Sequence, residues 1–208
     1  MAIFLALTAG VYASNVVPDT VSLNNTNTFG VYQVGHTIVV YSEPDENSTI
    51  KQKIVWGDEN VVPQDIKLAD MFILYLKNKD LALMAVTDET DDWVEVIYDS
   101  KTGAKGWIKK DDPYKFNTWV NFYNMYGRKY GLMYLKGTPE SSKSLYGSPD
   151  DEDSKAISSV TLAKAIKLTN VSGNWLLAII YDVDHSQKIG WLKWRTKEGQ
   201  IYLFPAIK

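Results

Sequence analysis

The sequence predicts a mainly β protein: two related small barrels, produced by an internal duplication and joined by a short helix with an aromatic face. Three observations predict it. One phrase occurs twice, as "WVEVIYDSKTGAKGWIKK" from Trp93 to Lys110 and as "WLLAIIYDVDHSQKIGWLKW" from Trp175 to Trp194. Short runs rich in Val, Ile, Tyr and Trp alternate with clusters of Gly, Asp, Asn and Ser, the pattern of brief strands and tight turns that small barrels use. Between the two copies, aromatic residues recur at helical spacing.

The first unit spans 29–112. It opens with "FGVYQVGHTIVVYSEPDENSTI", an aromatic-Gly-apolar strand followed by Tyr41-Ser-Glu-Pro and an acidic, Ser-bearing loop. An alternating strand, Leu81 onward, then leads through "TDETDD" to Trp93, and "DSKTG" reads as a hairpin loop in which Gly103 takes positive φ. The second unit, 130–208, repeats this order: "YGLMYLKGTPESSKSLYGSPDDEDSKAI", then "AIKLTNVSGNW", then the second tryptophan phrase. Duplication explains the match economically. The first unit carries extra residues over 56–80, "WGDENVVPQDIKLADMFILYLKNKD", whose pattern predicts a short helix and then a strand. A structureless loop of that length is uncommon.

Over 113–129, Phe116, Trp119, Phe122, Tyr123 and Tyr126 make one helical stripe, with Pro113 ahead of it and Gly127 at the position of a C′ residue. Such a stripe is expected to pack on a core rather than to form a glycan platform, because each ring buries roughly 150–250 Å². "LLAII" at Leu176–Ile180 is apolar on both faces, with Leu177 standing where the first copy has Glu95. A strand of that kind is expected to be covered on both sides, which predicts one compact unit.

The bulk composition fits a globular chain: 208 residues, 45% hydrophobic and 23% charged, with a net charge of -3. The charge is unevenly placed. Phe29–Asp112 carries 9 Lys against 16 acids, whereas Pro113–Lys208 carries 13 Lys/Arg against 8 acids. Neither half is basic enough for a nucleic-acid binder, so no nucleic-acid partner is expected. The chain has no cysteine, which removes disulfides, thiolate nucleophiles and Cys-based metal sites. Met1–Gly10 is apolar but too short to span about 30 Å of hydrocarbon, so no stable membrane span is expected. Val11-Tyr12-Ala13 has the small-x-small character of a signal-peptidase site, and 1–13 is read as an export segment followed by a linker over 14–28. The first basic residue is Lys51, so the positive n-region is missing; the alternative is a short buried strand.

Tyr-x-x-Pro, the Ser-bearing loop, the alternating strand, Trp, and then "KTGAKGWIKK" or "QKIGWLKW" resemble bacterial SH3 (SH3b) modules over most of Phe29–Asp112 and Tyr130–Thr196. The resemblance implies two SH3-like small barrels. It also implies an exported, periplasmic or extracellular protein that binds or targets, often toward the bacterial wall. The insertion, the extra residue between Trp175 and Tyr181 and the interposed helix depart from the family pattern. The Cys/His peptidases that accompany such modules need a cysteine that this chain lacks.

No catalytic set is expected. His36 and His185 sit in loops without metal-site spacing, and neither "PDENST" nor "PDDEDS" matches a Ca²⁺-loop pattern, so no metal or cofactor is expected. In a small barrel, the groove between the Pro-containing loop and the hairpin presents aromatics on rigid backbone. The candidate ligand-binding residues there are Tyr41, Trp93 and Tyr98 in the first copy and Tyr146, Trp175 and Tyr181 in the second. Trp107 and Trp191, each after a glycine, are expected in the core. The expected function is non-catalytic recognition of a cell-wall (peptidoglycan) component or an envelope protein. The alternative is a structural or assembly protein with no wall ligand.

Overall fold

The computed structural model describes residues 15–21, 27–56, 66–150 and 155–207. The export segment expected at 1–13 and residues 57–65 of the insertion lie outside them, as does the stretch 151–154. The β-branched and aromatic runs form two antiparallel sheets. The first half supplies β1 (Gly30–Gln33), β2 (Thr37–Tyr41), β3 (Ile50–Val55), a short helix α1 (Leu68–Met71), β4 (Leu74–Leu76), β5 (Leu81–Glu89), β6 (Trp93–Asp99), β7 (Ala104–Lys109) and β8 (Phe116–Thr118). The second supplies β9 (Leu132–Tyr134), β10 (Ser144–Tyr146), β11 (Ala156–Ser159), β12 (Ala163–Ser172), β13 (Trp175–Asp182), β14 (Gln187–Lys193) and β15 (Leu203–Pro205).

The spatial orders are β3-β2-β7-β6-β5-β1-β8 and β11-β10-β14-β13-β12-β9-β15, with β4 off the path and paired to β5. Counting strands within each half and omitting β4, both sheets read third, second, sixth, fifth, fourth, first, seventh. Among the described residues no ladder joins β3 to β8 or β11 to β15, so each sheet is an open path and the expected barrel closure is not among its pairings.

β5 holds the two halves together. Its even-numbered residues Ala82, Met84 and Val86 face a core confined to the first half, with Tyr32, Val40, Ile54, Val94 and Val96. Its odd-numbered Leu81 and Leu83 face a second core with Leu132, Ile166, Leu176, Ile180, Leu192 and Phe204. The strand covered on both sides is therefore β5; the expectation that the apolar run Leu176–Ile180, in β13, is covered on both sides is corrected. On β13 the even residues are buried, but Leu177 and Ile179 are half-buried, and Ile189, paired opposite Ile179, is 65% exposed.

The connecting helix starts later than the pattern over 113–129 predicts. Phe116 lies in β8, and Thr118 caps the helical run by accepting a hydrogen bond from the Asn121 backbone N–H at 3.3 Å. The run continues as α2 (Trp119–Phe122), a π-turn (Tyr123–Gly127) and α3 (Arg128–Tyr130). It ends at Gly131, φ 74°, four residues beyond Gly127. Gly127 sits inside the helix because a Cβ there would lie 3.0 Å from a Leu168 methyl and 3.2 Å from a Leu132 methyl. The aromatic face packs inward: Trp119, Phe122 and Tyr123 are all buried in the shared core. The Tyr123 hydroxyl donates to the Leu203 carbonyl at 2.6 Å.

The insertion also belongs to the core. Trp56, Met71, Phe72 and Tyr75 join the first-half cluster, and Leu74 and Leu76 join the shared one. The segment expected as a linker is bonded at both ends where it is described. Val16 exchanges two backbone hydrogen bonds of 2.8 Å with Tyr75, and the Val21 N–H donates to the Lys136 carbonyl at 2.9 Å.

Candidate functional site

The repeated tryptophan phrase folds, in each half, into the hairpin that pairs with the strand before the Pro loop. β7 lies between β6 and β2, and β14 between β13 and β10. Across the first trio, Tyr41 pairs with Trp107, Trp107 with Glu95, and Trp93 with Lys109. Across the second, Tyr146 pairs with Trp191, Trp191 with Leu177, and Trp175 with Lys193. Cross-strand partners share a face, so each sheet presents a tyrosine, two tryptophans and a lysine on its outer side.

The glycine before each second tryptophan sets this arrangement. A Cβ on Gly106 would lie 2.8 Å from the Tyr41 carbonyl oxygen, and one on Gly190 would lie 2.8 Å from the Tyr146 carbonyl oxygen. Both glycines are buried where a neighbouring strand passes close. Side chains alternate along a strand, so the next residue must point outward. Trp107 and Trp191 are accordingly half-buried on the outer face, and the expectation that they fill the core is corrected.

Within each set the first tryptophan is the anchor. Trp93 is 8% exposed and meets Tyr41 edge-on with ring centroids 5.5 Å apart; Trp175 is 6% exposed and meets Tyr146 edge-on at 5.1 Å. Pairs of this geometry contribute about 0.5–1.5 kcal/mol beyond their area burial. Little of either anchor's surface is left for a ligand, whereas Tyr41, Tyr146, Trp107 and Trp191 remain half-open. Tyr98 and Tyr181 are not equivalent. Tyr98 falls at an irregularity of the β6 ladder and packs against the first-half core. Tyr181 lies on the outer face of β13, half-buried, opposite Gln187. The extra residue after Trp175 reverses the parity between them.

The two surfaces differ in charge. In the first, Lys109 Nζ lies 2.7 Å from Glu46 Oε1, and that hydrogen-bonded pair holds the ammonium above its ordinary value. Glu95 accepts from Thr87 Oγ1 at 2.6 Å, with Lys105 Nζ at 3.9 Å. An open cleft of about 350 Å³ runs beside Tyr41 and Lys109, lined also by Thr37, Val39 and Tyr114. In the second, Lys193 Nζ stands 5.6 Å above the Trp175 ring, a cation–π distance, and Leu177 and Ile189 stand where the first has Glu95 and Lys105. The sequence reading missed Lys109, Lys193 and the outward tryptophans; counting alternate residues from the two glycines would have found them.

The histidines stay apart from this surface. His36 Nε2 is 2.6 Å from Asp80 Oδ1 and its ring lies edge-on to Trp56 at 4.6 Å, while His185 holds a hairpin tip at φ 68°. Among the described residues no group of three or more His, Cys, Asp or Glu is placed to hold a metal ion. No helix among them is long and apolar enough to cross a membrane. No protein-family model matches the chain, and no curated protein matches its sequence.

Proposed function

We propose that this chain is a non-catalytic, exported binding protein built from two SH3b-like modules, and that its ligand is cell-wall peptidoglycan. The observation that carries the reading is the twin outer face: Tyr41, Trp107 and Lys109 on one sheet match Tyr146, Trp191 and Lys193 on the other, in the same register. The common strand order of the two sheets supports descent from one duplicated module. Half-open indole and phenol rings on rigid strands suit the apolar faces of sugar rings and short peptides. Two matched sites on one body favour a polymeric ligand with repeating units, since the second contact forms intramolecularly. Export rests on the composition of Met1–Ala13.

Co-sedimentation of the purified chain with isolated sacculi tests the reading. Retention of the chain in the pellet at low ionic strength is expected. A chain left wholly in the supernatant at low salt would refute it.

One observation favours a second reading, docking to an envelope protein with no wall ligand. The second sheet's outer face carries Leu177 and exposed Ile189 where the first has Glu95 and Lys105. Cross-linking in lysate separates the two readings: a discrete protein complex together with indifference to sacculi belongs to the second.

A further inference from the structure

Between the halves lies a cleft that the twin aromatic faces do not include. The face of β5 that carries Leu81 and Leu83 into the shared core continues to Ala85, the smallest of the three, which is buried beside Ile97. Where another large side chain would continue the packing there is a cavity of about 410 Å³ lined by Ala85 and Ile97. The space is open to solvent on one side, and ligand pockets begin at roughly 300 Å³. Apolar walls come from Phe72 and Ile73 after α1 and from Leu135 and Phe204 of the second half. Residues 16–20 cross this cleft as a strap, tied to Tyr75 on one side and to Lys136 on the other.

Two acidic residues are among those lining the cleft, Asp19 on the strap and Asp70 on α1, with one basic residue, Lys101. The Asp70 backbone carbonyl accepts from the Ser100 N–H at 2.6 Å, which fixes α1 against the turn after β6. Neither carboxylate belongs to an ion pair among the described residues.

We infer that this cleft is a binding site for a small amphiphile with an apolar body and an amine. The apolar body lies against Ala85, Ile97, Phe72 and Phe204, and the ammonium faces Asp19 and Asp70. The site is independent of the wall-binding reading, and either can fail alone.

Titration calorimetry on the full chain with octylamine, and with octanoate as the matched anion, tests it. Saturable one-to-one binding of octylamine is expected, with octanoate clearly weaker. Replacing both carboxylates, Asp19→Asn with Asp70→Asn, is expected to weaken octylamine by roughly fivefold, because exposed charge pairs contribute modestly. Filling the cleft with Ala85→Leu is expected to abolish binding, while Val183→Ala, at an exposed position outside the cleft lining, leaves the affinity unchanged. Absence of saturation with octylamine, equal affinity for octanoate, or full affinity in a folded Ala85→Leu variant would each overturn the inference. Should Ala85→Leu fail to fold, the carboxylate pair decides: unchanged octylamine affinity in that variant overturns it.

Discussion

Gly106 and Gly190 decide which tryptophan is structural and which is presented. Each is pressed against a carbonyl of the strand before the Pro loop, and the residue after each is thereby turned outward. Four tryptophans that look interchangeable in the sequence are therefore of two kinds. Trp93→Ala and Trp175→Ala remove buried anchors and are expected to cost about 3–5 kcal/mol each in chemical denaturation. Trp107→Ala and Trp191→Ala expose no comparable cavity and are expected to cost about 1 kcal/mol or less. The repeated aromatics were legible in the sequence, but the side each one faces depends on strand parity. Parity was misjudged at Trp107 and Trp191 because a glycine's close approach was assigned to the residue beside it. It was misjudged at Tyr98 and Tyr181 because one added residue in β13 inverts the face.

Residue chemistry also sets a pH limit. Burial raises the phenols of Tyr123 and Tyr134 above their ordinary value, with Tyr146 adding to the effect at Tyr134. Both are neutral in the fold. A group whose folded pKa is raised contributes stability that is intact below its unfolded value, about 10 for tyrosine, and lost as pH climbs toward the folded value. Urea midpoints are accordingly expected to hold steady from pH 7 to 9 and to fall above about pH 10. A midpoint that rose above pH 10 would contradict the burial of these rings.

Among the elements, β5 and the insertion carry the organisation that the sequence obscured. "LALMAV", expected as an alternating strand, is apolar at every position from Leu81 to Val86, as is "LLAII" from Leu176 to Ile180, and nothing in either run states which one will be covered on both faces. The helix and the second half settle on β5, leaving the outer face of β13 half-open. The insertion's helix and strand were legible from its pattern, but its destination was not, because burial of Met71, Phe72 and Tyr75 depends on partners distant in sequence. Deleting 56–80 removes six large side chains from the two cores and is expected to yield insoluble or unfolded protein. A soluble deletion variant with native near-UV circular dichroism would show instead that the segment is dispensable to the fold. The connecting helix shows the same limit: its stripe was visible, yet its start was set by Thr118 and its end by the positive φ of Gly131.

Across the whole molecule, two sheets of common strand order are held as one body rather than two beads by the shared core. Leu81, Leu83 and Val31 from the first half pack with Trp119, Phe122, Leu132 and Phe204 from the helix and second half. A single cooperative thermal transition is expected by calorimetry; two resolved transitions would mean that the halves melt separately. The opposite charge of the halves stays at the surface, where salt screens it, and adds little to that cooperativity.

The presented aromatics and the wall-binding reading meet in one measurement: co-sedimentation of the Trp107→Ala, Trp191→Ala double variant with sacculi, beside the unaltered chain at low salt. The account predicts that the unaltered chain pellets while the double variant stays in solution, folded, with at most about 2 kcal/mol lost in chemical denaturation. Equal pelleting of the two would contradict it.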